Sequence, residues 1–127
     1  NVIFYGKRPL EEMPKFYSLA DAMLVTLSKN DIISKTLPGK VQSYMCAGKP
    51  IIGCIDGETQ LIIDEANCGM YCESENHEKM AELFEEMAKA DLDLFSKNAK
   101  QYYEDNFKKE LFFENLLKEL NELLDKK

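Results

Sequence analysis

The segment Thr36-Leu37-Pro38-Gly39-Lys40-Val41-Gln42-Ser43-Tyr44-Met45-Cys46-Ala47-Gly48-Lys49-Pro50-Ile51-Ile52-Gly53 leaves this chain few folds to choose from. It predicts a loop, a helix, a tight stop and a buried strand in quick succession. Pro38 and Gly39 open the helix. Gly48 supplies a left-handed stop, and Pro50 forbids continuation. Ile51 and Ile52 then enter an apolar strand. A Gly-containing loop at a helix N-terminus, with a lysine in the first turn, favours an anion. The leading ligand on physical grounds therefore bears phosphate.

The same alternation runs along the chain. Val2 to Tyr5 reads as a buried strand ending at Gly6. Pro9 opens a helix with Leu10, Met13, Phe16, Tyr17 and Ala20 at helical spacing, and Pro14 falls near its front. Met23 to Leu27 is a second strand, Ser28 to Leu37 a polar loop, and Ile51 to Ile55 a third strand. Asp56-Gly57-Glu58 turns into a helix with Leu61, Ile62, Ile63 and Ala66 as apolar positions, stopped by Asn67-Cys68-Gly69. Met70 to Cys72 is a fourth strand. Asn76 caps a helix striped by Met80, Leu83, Phe84 and Met87. Asp91 caps the next, through about Tyr103. A last helix carries Leu111, Phe112, Leu116, Leu120, Leu123 and Leu124. It either packs on the domain or forms a seam for a partner or for an absent lobe.

Short continuous apolar strands alternating with helices predict an α/β fold, a parallel sheet with helices on both faces. Crossovers should be right-handed, and ligands should bind beyond the carboxyl ends of the strands. Gly6-Lys7-Arg8, Ser28 to Pro38 and Asp56-Gly57-Glu58 are expected to line that rim. The 127 residues suit one domain spanning 1–127.

Charge narrows the partners. The chain carries a net charge of -7. Residues 1–72 hold 8 acids against 7 bases, and residues 73–127 hold 15 against 9. The acidic excess thus sits on the C-terminal helices. The stretch from Lys29 to Lys49 is the exception, with four lysines and the single acid Asp31. No basic stripe suits a nucleic-acid backbone, so nucleic acid is not an expected partner. No apolar run is long enough to span a membrane, and the first residues do not resemble a signal peptide. The chain starts inside an apolar run without an initiator Met, which reads as a piece of something longer. Cys46, Cys54, Cys68 and Cys72 show no two-residue-spaced pair, and His77 is the lone histidine. They read as reduced core cysteines of a cytosolic protein, and no metal site or cofactor is expected.

Three segments, in this order and spacing, resemble the C-terminal lobe of a group-1 (family 4) glycosyltransferase of the GT-B type. Glu12-Met13-Pro14-Lys15-Phe16-Tyr17-Ser18-Leu19-Ala20-Asp21 is similar to the helix ending in Ala-Asp before that lobe's fourth strand. Pro38-Gly39-Lys40 through Gly48-Lys49-Pro50 resembles a Pro-Ser-Lys version of the donor-site helix, found in bacterial enzymes building capsule or O-antigen sugars. Asp56-Gly57-Glu58, a helix and Gly69 resemble the unit that follows. The match covers most of residues 1–73.

The resemblance implies a Rossmann-like, N-terminally truncated donor lobe with a helical C-terminus. It implies a nucleotide-diphosphate sugar as ligand, and transfer with retention and without a protein-bound metal. An acceptor, often a lipid-linked saccharide at the cytoplasmic membrane face, would be held by a missing N-terminal lobe. The implied setting is cytoplasmic, with peripheral association at the inner face of the plasma membrane. Backbone amides of Gly39, Lys40 and Val41 would receive the diphosphate, with charge added by Lys40 or Lys35. Gly6 and Arg8 would cradle the base. A solvated lysine and a surface arginine are the plainer readings of Lys40 and Arg8.

Two departures stand against the family pattern. Many members carry two glutamates, one near the donor sugar and one on the ribose. Their positions here are Lys35 and Ser43. Gln42 or Ser43 is left to bond the ribose, while Lys35 and Glu58 are the sugar-side candidates, and no residue is assigned catalysis. Glu58 is equally an ordinary helix start. The lobe's two strands before Val2 are also missing. Open sheet edges then lead us to expect self-association or a rearranged first strand, and the fragment alone should be inactive. Two other readings stay open: a non-catalytic binding or interaction module using the last helix, and another phosphate-ligand enzyme such as an epimerase. The latter would be favoured by a Gly-x-Gly-x-x-Gly loop, which the sequence lacks.

Overall fold

Apolar alternation along three short strands builds two cores back to back. The computed structural model describes residues 1–125. The strands β1 (Met23–Thr26), β2 (Ile51–Cys54) and β3 (Gly69–Cys72) form one parallel sheet in that order. Register is fixed by Met23 opposite Ile51 and Ile51 opposite Gly69. Gly69 is required there, because a Cβ would collide with the Ile51 carbonyl. Successive side chains point to opposite faces. Val25, Ile51 and Ile55 therefore join Val41, Met45, Ile63, Ala66 and Ala99 on one face. Ile52, Cys54 and Cys72 join Leu83 and Met87 on the other.

Helices cover both faces. α2 (Gly39–Cys46) and α3 (Glu58–Ala66) carry the crossovers on the first face, and α4 (His77–Met87) packs on β2 and β3 from the other. α5 (Leu92–Asn106) lies against α2 and reaches both cores through Ala99 and Phe95. The expected caps are present. Asn76 accepts from the Lys79 amide at 3.0 Å and Asp91 from the Leu94 amide at 2.9 Å. Asn67, at φ 43°, ends α3 in the left-handed region. Gly48 does the same after α2 at φ 63°.

The first expected strand is absent. Val2 to Tyr5 is irregular and exposed, with Phe4 92% accessible. A strand needs a neighbour for its backbone N–H and C=O groups, and this segment finds none. It is tied instead to α1 (Met13–Leu19) by Tyr5 stacking edge-on against Phe16 and by Arg8 Nε donating to the Tyr5 carbonyl at 3.0 Å. The sheet thus has three strands, not four. A 3-10 turn, Leu10–Glu12, leads into α1, and Pro14 lies in the first turn, where a missing N–H costs little.

The last helix, α6 (Lys109–Asp125), buries no residue and meets the domain chiefly along α5. The packed reading of this helix is thereby overturned. Leu61 also departs from expectation. It is 56% exposed because α3 turns Thr59, Ile63 and Ala66 inward.

Candidate functional site

Parallel strands deliver their following loops to one rim, and here those loops are fastened to each other. The β1–β2 and β2–β3 ladders run on into the loops, with Leu27 N–H donating to the Cys54 carbonyl and Ile55 N–H to the Cys72 carbonyl, both at 3.1 Å. The loop after β1 folds on Asn30. Its Oδ1 accepts from the amides of Ile32 and Ile33 at 2.9 and 3.1 Å. Its carbonyl accepts from Ser34 N–H at 2.9 Å. Glu75 Oε1 takes the Lys29 amide at 3.2 Å, and Asp56 Oδ1 takes the Ser74 amide at 3.1 Å. Gly57 packs directly beneath Ser34 at φ 78°, and a Cβ there would collide with the Ser34 backbone. That contact brings the turn Ile33–Lys35 against the start of α3.

Lys35, the start of α2 and Glu58 therefore share one rim. The N-terminus of α2 follows Pro38, which offers no side-chain cap. Gly39 and Lys40 are exposed there, and first-turn amides have no intrahelical partner. Val41 differs. Its amide donates to the Pro38 carbonyl at 2.9 Å and its side chain is buried. Of the three expected backbone donors, Gly39 and Lys40 are thus the ones left over. Lys35 and Lys40 enter no ion pair among the described residues. The helix end and the two ammonium groups of Lys35 and Lys40 concentrate positive charge at the start of α2, on a rim that also carries Asp56 and Glu75. Glu58, exposed in the first turn of α3, is the opposing charge.

The remaining candidates are placed less tightly. Gln42 is half-buried, and Ser43 Oγ donates back to the Gly39 carbonyl at 3.2 Å. Gly6, at φ 67°, and Arg8 lie in an open hollow of about 370 Å³ walled also by Tyr5, Met13 and Phe16. No residue of the loops after β1 or β2 lines that hollow, so the expected base cradle and the α2 rim are not joined in one pocket. Lys49 belongs elsewhere. Its Nζ donates to the Ala20 carbonyl at 2.9 Å, tying the end of α1 to the segment entering β2, at the end of the sheet away from the rim.

A family model described as Glycosyl transferases group 1 matches residues 1–109. The chain belongs to the group 1 glycosyltransferases. No curated protein and no solved structure matches it. As a group 1 glycosyltransferase domain it is a sugar-transfer module, and its parallel sheet flanked by helices is that of a Rossmann-like GT-B lobe. Among the described residues, no helix is long and apolar enough to cross a membrane and no cluster of ligating side chains suits a metal.

Sequence reasoning missed the residues that hold the rim together. Asn30 was the readable one, since an Asn that accepts amides two and three residues ahead is an ordinary turn former. Glu75 sits at φ 69°, a conformation its sequence does not announce. A cavity on this rim, about 290 Å³, was also missed. It is lined by Thr26, Leu27, Ser28, Cys54, Glu75, His77 and Met80.

Proposed function

We propose that this rim holds the diphosphate of a nucleotide-diphosphate sugar, as the donor-binding part of an enzyme of cell-surface polysaccharide synthesis. Transfer would go to a saccharide or lipid-linked acceptor brought by a second lobe, in the cytoplasm at the inner face of the membrane. The observation that carries this reading is the uncapped start of α2, exposed at Gly39 and Lys40, with Lys35 on the same rim. Phosphate oxygens accept from such amides, and a lysine adds charge. Gln42 and Ser43, one turn along, are the proposed ribose contacts. Gly6 and Arg8 reach the base only if the N-terminal segment moves toward the rim. Lys35 and Glu58 face the sugar side.

Titration with UDP, GDP and pyrophosphate tests this. Nucleotide diphosphate should bind, and Lys40→Ala should weaken it about fivefold, the loss of about 1 kcal/mol expected for one exposed charge-assisted contact. Equal affinity of Lys40→Ala and wild type would move the diphosphate away from α2. Binding by the intact protein but not by this chain would mean that other strands complete the site, and absence of binding by both would favour the interaction-module reading, which the exposed apolar side of α6 supports.

A further inference from the structure

Two of the four thiols stand side by side at one end of the sheet. Cys54 closes β2 and Cys72 closes β3, and the parallel register sets them directly opposite. Both project into the same core, beside Leu83 and Met87. Adjacent strands lie about 4.8 Å apart, inside the roughly 4.4–6.8 Å window of Cα separations that a disulfide spans. The pair is not sealed off. Cys54 lines the 290 Å³ cavity that opens on the rim between Ser28 and His77. The remaining two thiols are out of reach. Cys68 packs on the opposite face of the sheet, and Cys46 lies on α2.

We propose that Cys54 and Cys72 form an oxidant-sensitive dithiol, reached through this cavity, that closes to a strand-to-strand disulfide. The oxidant is hydrogen peroxide. The Cys54 thiolate attacks one peroxide oxygen, the O–O bond breaks, and the departing hydroxide leaves as water after taking a proton. The resulting sulfenic acid is attacked by the Cys72 sulfur. The S–S bond forms as the S–O bond breaks, and the second oxygen leaves as water with the Cys72 proton. Two thiols and one hydrogen peroxide thus yield one disulfide and two waters.

Each thiol now donates to a carbonyl of the loop after β3, Cys54 to Glu73 at 3.3 Å and Cys72 to Asn76 at 3.6 Å. Closure removes both hydrogen bonds from the loop that carries Ser74 and Glu75, the partners of Asp56 and Lys29. Oxidation is thereby linked to the loops of the rim. Burial, with the neighbouring Cys54 second, pushes the Cys72 thiol up from its ordinary range. The second step, attack by the Cys72 sulfur, should therefore run faster as pH rises, since the thiolate is the nucleophile.

The test treats the 127-residue chain with hydrogen peroxide at pH 7 and pH 8, blocks free thiols, and maps the product without reduction. Cleavage at glutamates is needed, because no Lys or Arg separates the two cysteines. The expected product is a single chain without covalent links to another, which has lost two thiols, regained with dithiothreitol, and in which tandem mass spectrometry joins Cys54 to Cys72. Its rate should be higher at pH 8 than at pH 7. Cys46→Ser should behave like wild type. A sulfenic or over-oxidised Cys54 beside a free Cys72 would overturn the proposal. So would oxidation confined to Cys46, or disulfides only between chains. The wild-type map decides alone, so the outcome does not depend on whether Cys54→Ser folds.

Discussion

Two glycines of the rim make opposite predictions. Gly57 occupies the left-handed region with the Ser34 backbone where a Cβ would stand. Gly57→Ala therefore meets both a backbone penalty and a collision, and should destabilise by at least about 2 kcal/mol in a urea titration. Gly39 has open space around its Cβ position and an ordinary φ. Gly39→Ala should leave stability within roughly 0.5 kcal/mol of wild type. If Gly57→Ala were equally silent, the turn would not be clamped as described. The buried thiols predict an alkaline limit. Burial pushes Cys68 up to about 12, and burial with a hydrogen bond to Glu65 pushes Tyr102 up to about 12. Both protonated forms are favoured by folding. Their contribution is fully present below the ordinary values, about 8.5 for a thiol and about 10 for a phenol, and is lost as pH rises through the folded ones. Thermal midpoints should be flat from neutral pH to about 8 and fall steadily above about 9. Cys68→Ala should make the fall shallower.

At the scale of elements, capping and periodicity were legible, and pairing was not. Pro38, Gly48, Asn76 and Asp91 act through neighbours a few residues away, so their sequence positions set the bounds of α2 and the starts of α4 and α5, while α5 runs on past the expected Tyr103 to Asn106. Both cap bonds should be measurable. Asn76→Ala and Asp91→Ala should each cost about 1 kcal/mol, and the two losses should add, because the bonds share no partner. Equal stability of the double variant and either single one would mean that one helix start already frays. Val2 to Tyr5 failed for the contrary reason. Its apolar run fits a strand, but a strand is made by its neighbour, and composition carries no information on whether a neighbour is present. The start of α2 was read correctly from Pro38-Gly39. The fastening of its rim through Asp56 and Glu75 was not, since those bonds join residues 18 and 46 positions apart.

At the scale of the molecule, the unspent apolar surface decides behaviour in solution. α6 exposes Phe112, Phe113, Leu117, Leu120, Leu123 and Leu124. Val2, Ile3 and Phe4 are exposed at the other end of the chain, and Leu24 is 41% exposed on β1, the edge of the sheet. Monomeric proteins rarely leave contiguous apolar patches of this kind uncovered. Opposing them is charge, since residues 73–127 carry a net -6, 15 acids against 9 bases. Attraction between apolar faces and repulsion between acidic ones make association depend on both concentration and salt. Added salt screens the repulsion, with a Debye length of about 8 Å at physiological strength, and leaves the apolar term in place. Light scattering should therefore show mass rising with concentration, and rising further from low to moderate salt. Phe113→Glu with Leu120→Glu should return the chain to a monomer without loss of helix signal, because both side chains are already solvent-exposed and such positions contribute little to folding. A monomer at every concentration and salt would show that the exposed side of α6 does not bind itself. Association unchanged by the double variant would shift the contact to Val2–Phe4 and the β1 edge, where Phe4→Lys is the substitution expected to disperse it.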